Sequence, residues 1–196
     1  MTKRVFFDAS VHLGQFCLSS DEVRFGCKAS QASLYRKGED ECVGLWTDNE
    51  NGRVDNAIWS LPREVQDTFY PFMDRFYSMK QINQVPLERQ DVESAIKLLD
   101  QHSSISFQSA YTCAVALRIG AAELHSLYQD LHSESIVQFM RSKDVLIKKP
   151  SEVDERSFPE PELEATYQDA LSHFKKAHVD VLDFLNDDRN SSSKKN

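Results

Sequence analysis

An aspartate placed directly after a short apolar run is the first residue of this chain that could do chemistry. Arg4-Val5-Phe6-Phe7 is β-prone, and Asp8-Ala9-Ser10 ends it. A buried parallel strand has this appearance. In open α/β sheets, ligands collect beyond the carboxyl ends of the strands. Asp8 is therefore a candidate ligand for a hard cation, in competition with a structural role as the cap of a helix starting near Ser10. A second acid, Asp130, lies between His125 and His132. Those histidines invite a general-base or soft-metal role, although loop histidines are usually only solvated. Cys17, Cys27, Cys42 and Cys113 show no CxxC pair and no histidine at zinc-ligand spacing. Reduced, buried thiols are expected.

The elements that would position these residues follow a β–α alternation, which favours a parallel sheet with helices on both sides. Ser60, Pro62, Val65, Phe69, Phe72, Phe76 and Tyr77 have the spacing of a helix, with a kink or break expected at Pro71. The aromatic row in it could stack bases, but at helical spacing it reads as core. A second helix is expected from about 88 to 101, with Val92, Ala95, Ile96, Leu98 and Leu99 inward. A third, about 107 to 119, is apolar on nearly all faces and ends at Gly120, so it should be buried. A short strand near 123–126, a helix near 133–140 and a strand at 145–147 complete the alternation.

Residues 20–56 are rich in charge, Gly and Asn, and read as an insertion or irregular region. Cys42–Trp46 is a candidate strand within it, and Asn51-Gly52 a turn signal. The expected organisation is an α/β domain over 1–150, a Pro-containing acidic linker at 151–161, an amphipathic helix at 162–186 and a disordered tail at 187–196.

Charge and hydropathy narrow the function classes. The 196 residues carry 23 basic and 31 acidic side chains, a net charge of −8. From Pro150 onward there are 11 acids against 6 bases, and before it 20 against 17. Neither part has the basic stripe of a protein that holds nucleic acid through its phosphates. No run approaches the roughly 18–20 apolar residues of a membrane span, and the first residues lack the apolar core of a signal peptide. A cytoplasmic location, with no membrane partner, is the expectation.

Two stretches resemble the PIN domain, the fold of VapC-type toxin ribonucleases and several RNA-processing nucleases. Val5 to Val11 is similar to the family's opening strand followed by Asp-x-Ser/Asn. Val85-Pro86-Leu87, Val92 to Leu99 and Ile105-Ser106-Phe107 to Gly120 resemble its later helical segment, and Val145-Leu146-Ile147 up to Pro150 its closing strand. The likeness covers about residues 3–150 outside the 20–56 region. It implies a three-layer α/β/α domain with a central parallel sheet, to which this chain adds a C-terminal helical extension.

The resemblance also implies three or four carboxylates holding Mg²⁺ or Mn²⁺ at the carboxyl edge of the sheet. Asp8 matches the first. The second falls on Thr68, the third on Ser109, and the fourth on Tyr128 without gaps or on Asp130 with a two-residue shift. Asp67 cannot replace Thr68, because adjacent helix residues point about 100° apart. Asp8 with Asp130, helped by Ser109 and by Asp55, would make a weak metal site. The expected function is a PIN-like binding or regulatory protein with degraded catalytic acids. The alternative is a divergent, toxin-like, metal-dependent endoribonuclease using Asp8 and Asp130. RNA, a protein partner, or self-association through the C-terminal helix are the implied partners. All of this requires positions 8, 109 and 128–130 to meet in one pocket.

Overall fold

A computed structural model of the chain describes residues 2–35, 42–151 and 156–181. Its strands are β1 (Lys3–Phe7), β2 (Cys42–Thr47), β3 (Ile82–Val85), β4 (Glu123–His125) and β5 (Leu146–Lys148). Its helices are α1 (Ala9–Gly14), α2 (Asp21–Ala32), α3 (Asp48–Trp59), α4 (Arg63–Tyr77), α5 (Arg89–Gln101), α6 (Phe107–Arg118), α7 (Glu134–Arg141) and α8 (Pro161–Ala177). The strands form one parallel sheet in the order β3-β2-β1-β4-β5.

Strand β1 lies at the centre because it is apolar on both faces: Val5, Phe6 and Phe7 are all buried. Alternation sends Val5 and Phe7 to one side and Arg4 and Phe6 to the other. Phe7 meets His12 of α1 edge-on, while Arg4 donates to the carbonyl of Ile119 just past α6, at 2.7 Å. Helices therefore cover both faces, and the architecture is the expected three-layer α/β/α. The chain moves from β1 to its neighbours on both sides, β2 and β4, so the loops after these three strands gather at one carboxyl edge.

The described part of 20–56 is regular and not irregular. Its described residues supply α2, β2 and α3, and β2 sits between β1 and β3. The Asn51-Gly52 pair lies inside α3 instead of in a turn. Thr47 caps that helix by accepting from the Glu50 amide at 3.3 Å, and Asp48 and Glu50 fall in its first turn, where the helix dipole favours acids. Gly52 has open space around it, so helix costs it little more than its entropy.

Helix α4 runs unbroken through Pro71. The ring removes one amide, but Pro71 and Asp67, whose carbonyl would accept from it, are both exposed, so water can satisfy that carbonyl. On α5 the buried residues are Asp91, Ala95 and Leu98, whereas Val92 and Ile96 face outward. Asp91 is drawn in by Arg118 of α6, which binds it through Nε at 2.6 Å and Nη2 at 3.0 Å. Helix α6 is buried from Ser109 through Ala116, as its all-round apolarity predicts.

The C-terminal helix packs on its own domain. Leu163, Tyr167, Ala170, Leu171 and Phe174 are buried, with Phe174 stacked on Phe16 (4.8 Å between ring centres) and Tyr167 against Phe72. The apolar stripe of this helix, open on sequence to packing on its own domain or to association, is thus part of the core. Within the expected linker, Phe158 is buried against Phe72, Phe76 and Tyr167, so it anchors the helix that follows. Residues 152–155 of that linker, and 182–196 with the expected tail, lie outside the described residues. Among the described residues no helix is long and apolar enough to cross a membrane. Cys17, Cys27 and Cys113 are free and buried.

Candidate functional site

Asp8 is both the last residue before α1 and its cap. Its Oδ1 accepts from the amides of Ser10 (2.9 Å) and Val11 (3.3 Å) and from the Ser10 hydroxyl. That hydroxyl in turn accepts from the Leu127 amide at 2.8 Å, tying the loop after β4 to the start of α1. The carboxyl is fully buried, and Oδ2 makes no hydrogen bond of acceptable geometry.

Glu50, one turn into α3, is the acid that stands beside Asp8. Its Oε2 accepts from the Ala9 amide at 2.7 Å and from Nη1 of Arg53 at 3.4 Å. Its Oε1 accepts from Gln108 at 3.2 Å and Thr112 at 3.3 Å, both on α6. One buried carboxylate thereby joins α1, α3 and α6. The Arg53 guanidinium lies 4.7 Å from the ring centre of Tyr128, a cation–π arrangement.

Asp130 sits in a short 3-10 turn, Gln129–His132. Its Oδ1 accepts from the Ser109 hydroxyl (2.8 Å) and the Leu131 amide (3.1 Å), and its Oδ2 from the Ser106 amide (2.9 Å). Ser106 caps α6, so this carboxylate rests at the positive end of that helix. Ser109 and Asp130 are therefore partners. The buried Cys113 thiol, one turn further along α6, is pushed up to about 12 by burial first, then by the charges of Asp130 and Asp8. Ser109 and Asp130 thus meet at the start of α6, while Asp8 connects to that helix through the Ala9 amide and Glu50.

Four expected participants stand elsewhere. Thr68 turns its hydroxyl back onto its own helix, to the carbonyls of Glu64 and Val65. Asp55 faces α4, interacting with Tyr70. His125 pairs with Glu123 at 3.0 Å, and His132 Nε2 reaches the Ser126 carbonyl at 2.9 Å. The histidine rings are thus engaged away from Asp130. The aromatic row on α4 is core, with Phe69, Phe72 and Phe76 fully buried.

Burial, and next the charge of Glu50, raise the Asp8 pKa from 3.8 to about 7; the Ser10 and Ser126 hydroxyls and Arg53 pull the other way. This carboxyl therefore holds its proton to far higher pH than an ordinary aspartate does. The chemistry open to the site is limited by its lone pairs. Mg²⁺ wants about six oxygens in an octahedron, with one or two carboxylates committed to it. Glu50 and Asp130 have both oxygens engaged by protein donors, and only Oδ2 of Asp8 is unshared. Among the described residues, no group of three or more His, Cys, Asp or Glu is arranged to hold a metal ion. The donor set does not fit a resident Mg²⁺ or Mn²⁺.

Glu50, Arg53, Gln108 and Thr112 are site residues that sequence reasoning missed. The available signal was Thr47-x-x-Glu50 directly after an apolar strand, which is a capping-box pattern. Taking 48–52 as a loop hid it.

A model of the family described as a family of unknown function (DUF6190) matches residues 1–178. No curated protein matches the chain.

Proposed function

We propose, for a chain that belongs to the DUF6190 family, whose function is itself unknown, that it is a non-catalytic PIN-like protein serving binding or regulation. One observation carries this reading. The carboxylates that border α6 are already neutralised from within, Glu50 by Arg53, Gln108, Thr112 and the Ala9 amide, and Asp130 by Ser109 and two amides. Such saturated acids hold helices together and leave little to offer a reacting group. The net charge of −8 also argues against a surface built to retain RNA. The test is incubation of the pure protein with single-stranded and structured RNA in Mg²⁺ or Mn²⁺. No cleavage above background is expected. Cleavage that disappears in Asp8→Asn would refute the reading.

One observation favours the alternative, a divergent metal-dependent endoribonuclease. Three acids (Asp8, Glu50 and Asp130) gather at the carboxyl edge of the sheet, and the Asp8 Oδ2 atom is buried without a hydrogen bond. The same RNA assay separates the two readings. A cytoplasmic location and RNA or protein partners belong to these proposals.

A further inference from the structure

A cleft lies on the sheet toward the amino ends of β1 and β2, away from Asp8. Parallel pairing sets Arg4 beside Val43 and Leu45 beside Asn83. These four side chains share one face, the one on which Arg4 reaches the end of α6. With Val85 and Ile119 they line a cleft of about 430 Å³, within the size range of small-molecule sites. Leu45, Val85 and Ile119 are buried and Val43 is half-buried, so the floor is hydrocarbon. Arg4, Asn83 and Thr2 are exposed at its mouth.

Arg4 brings the charge to this cleft. Its Nη1 donates to the Ile119 carbonyl at 2.7 Å, which caps the last turn of α6 and fixes one corner of the guanidinium. Its remaining donors make no hydrogen bond or ion pair with a described residue. Glu123, the acid on the neighbouring strand β4, is engaged by Lys3, Lys148 and His125 on the opposite face. A guanidinium held at one corner and open along its other edge matches the two oxygens of a carboxylate. No second base lines the cleft, which favours a singly charged group over a phosphate carrying nearly two charges. The apolar floor favours a hydrocarbon body behind that group.

We propose that this cleft binds a small aliphatic monocarboxylate, with the carboxylate on Arg4 and the chain along Val43, Leu45, Val85 and Ile119. The inference goes beyond the reading of the acid site. The two places share no lining residue, so the RNA assay bears on one and the carboxylate on the other.

The test titrates sodium octanoate into the pure, isotope-labelled protein and follows backbone amide shifts, with octanol and octylamine as chain-matched controls. Saturable binding at about a millimolar or below is expected, with the largest shifts at Val43, Leu45 and Val85 and a thermal midpoint that rises with octanoate. Octanol and octylamine should each bind at least fivefold more weakly. Arg4→Gln should weaken octanoate at least fivefold and leave octanol unchanged, a split that loss of a helix cap alone does not produce. Asn83→Phe keeps Arg4 and places a ring in the mouth from an exposed edge position, so it should weaken both ligands even if the Arg4 variant folds poorly. The proposal is overturned if octanoate does not saturate, if its shifts centre on another part of the molecule, if octanol binds as well as octanoate, or if neither variant weakens it.

Discussion

At the scale of single residues, Asp8 is both a cap and a liability. As a cap it satisfies two amides at the start of α1. As a buried acid next to Glu50 it is raised from 3.8 to about 7. A raised carboxyl favours the folded state fully at pH values below its unfolded pKa, and that contribution disappears as pH rises through the folded value. At pH 8 the folded chain bears the cost of holding this charge in a buried site beside Glu50. Asparagine caps a helix as well as aspartate does and carries no charge. Asp8→Asn is therefore expected to raise the thermal midpoint at pH 8 and to give little or no gain at pH 4. A fall in the midpoint at pH 8 would show that the charged carboxylate has a partner worth more than its burial costs.

At the scale of elements, the path from β5 to α8 is fixed by a close approach. A Cβ on Gly26 of α2 would come within 2.7–2.8 Å of the Ser151 amide and the neighbouring backbone of Pro150 and Ser151. The chain leaving β5 thus lies directly on α2. It then reaches Phe158 and α8, where buried Lys28 of α2 pairs with Glu164 at 2.8 Å and sits 4.2 Å from the Tyr167 ring centre. Gly26→Ala supplies a sharp test because its two effects oppose. Alanine is the better helix former by about 1 kcal/mol, whereas the collision is with backbone and cannot be relieved by turning a side chain. A lower urea midpoint is expected, with a net loss of about 1–3 kcal/mol. An unchanged or raised midpoint would mean that the strap is free to lift.

At the scale of the whole molecule, two buried groups titrate against each other. His12 lies among Phe7, Phe76 and Tyr77, and burial lowers its pKa from 6.5 to about 4. Its contribution is complete above 6.5 and is lost as pH falls towards 4. The Asp8 contribution runs the other way, fading as pH rises from 3.8 through about 7. Between pH 5 and 6.5 the two slopes offset, so the wild-type midpoint should be nearly flat there. Asp8→Asn removes one slope and leaves the other, and its midpoint should climb across that window. Parallel profiles for the two proteins would contradict the assignment. Below about 4.5 both should fall, since Glu123, held by Lys3, Lys148 and His125, and Glu164, held by Lys28, sit below the usual carboxylate range.

The sequence by itself determined what depends on local pattern. The apolar run before Asp8 marked a buried parallel strand, the all-round apolarity of about 107–119 marked a buried helix, and β–α alternation marked a parallel sheet. These are readable because periodicity and burial are written into neighbouring residues. Only the tertiary structure decided how remote residues combine. Glu50 lies in a charge-rich stretch that reads as a loop until β2 is seen paired with β1, and nothing local links Arg53 to Tyr128 or Ser109 to Asp130. The α8 stripe could have faced a partner, and it faces inward because Phe16, Phe69 and Phe72, distant in the chain, leave an apolar surface for it to cover. Contacts between distant residues depend on how strands are ordered and helices docked, and that choice is made by the summed burial of the whole chain.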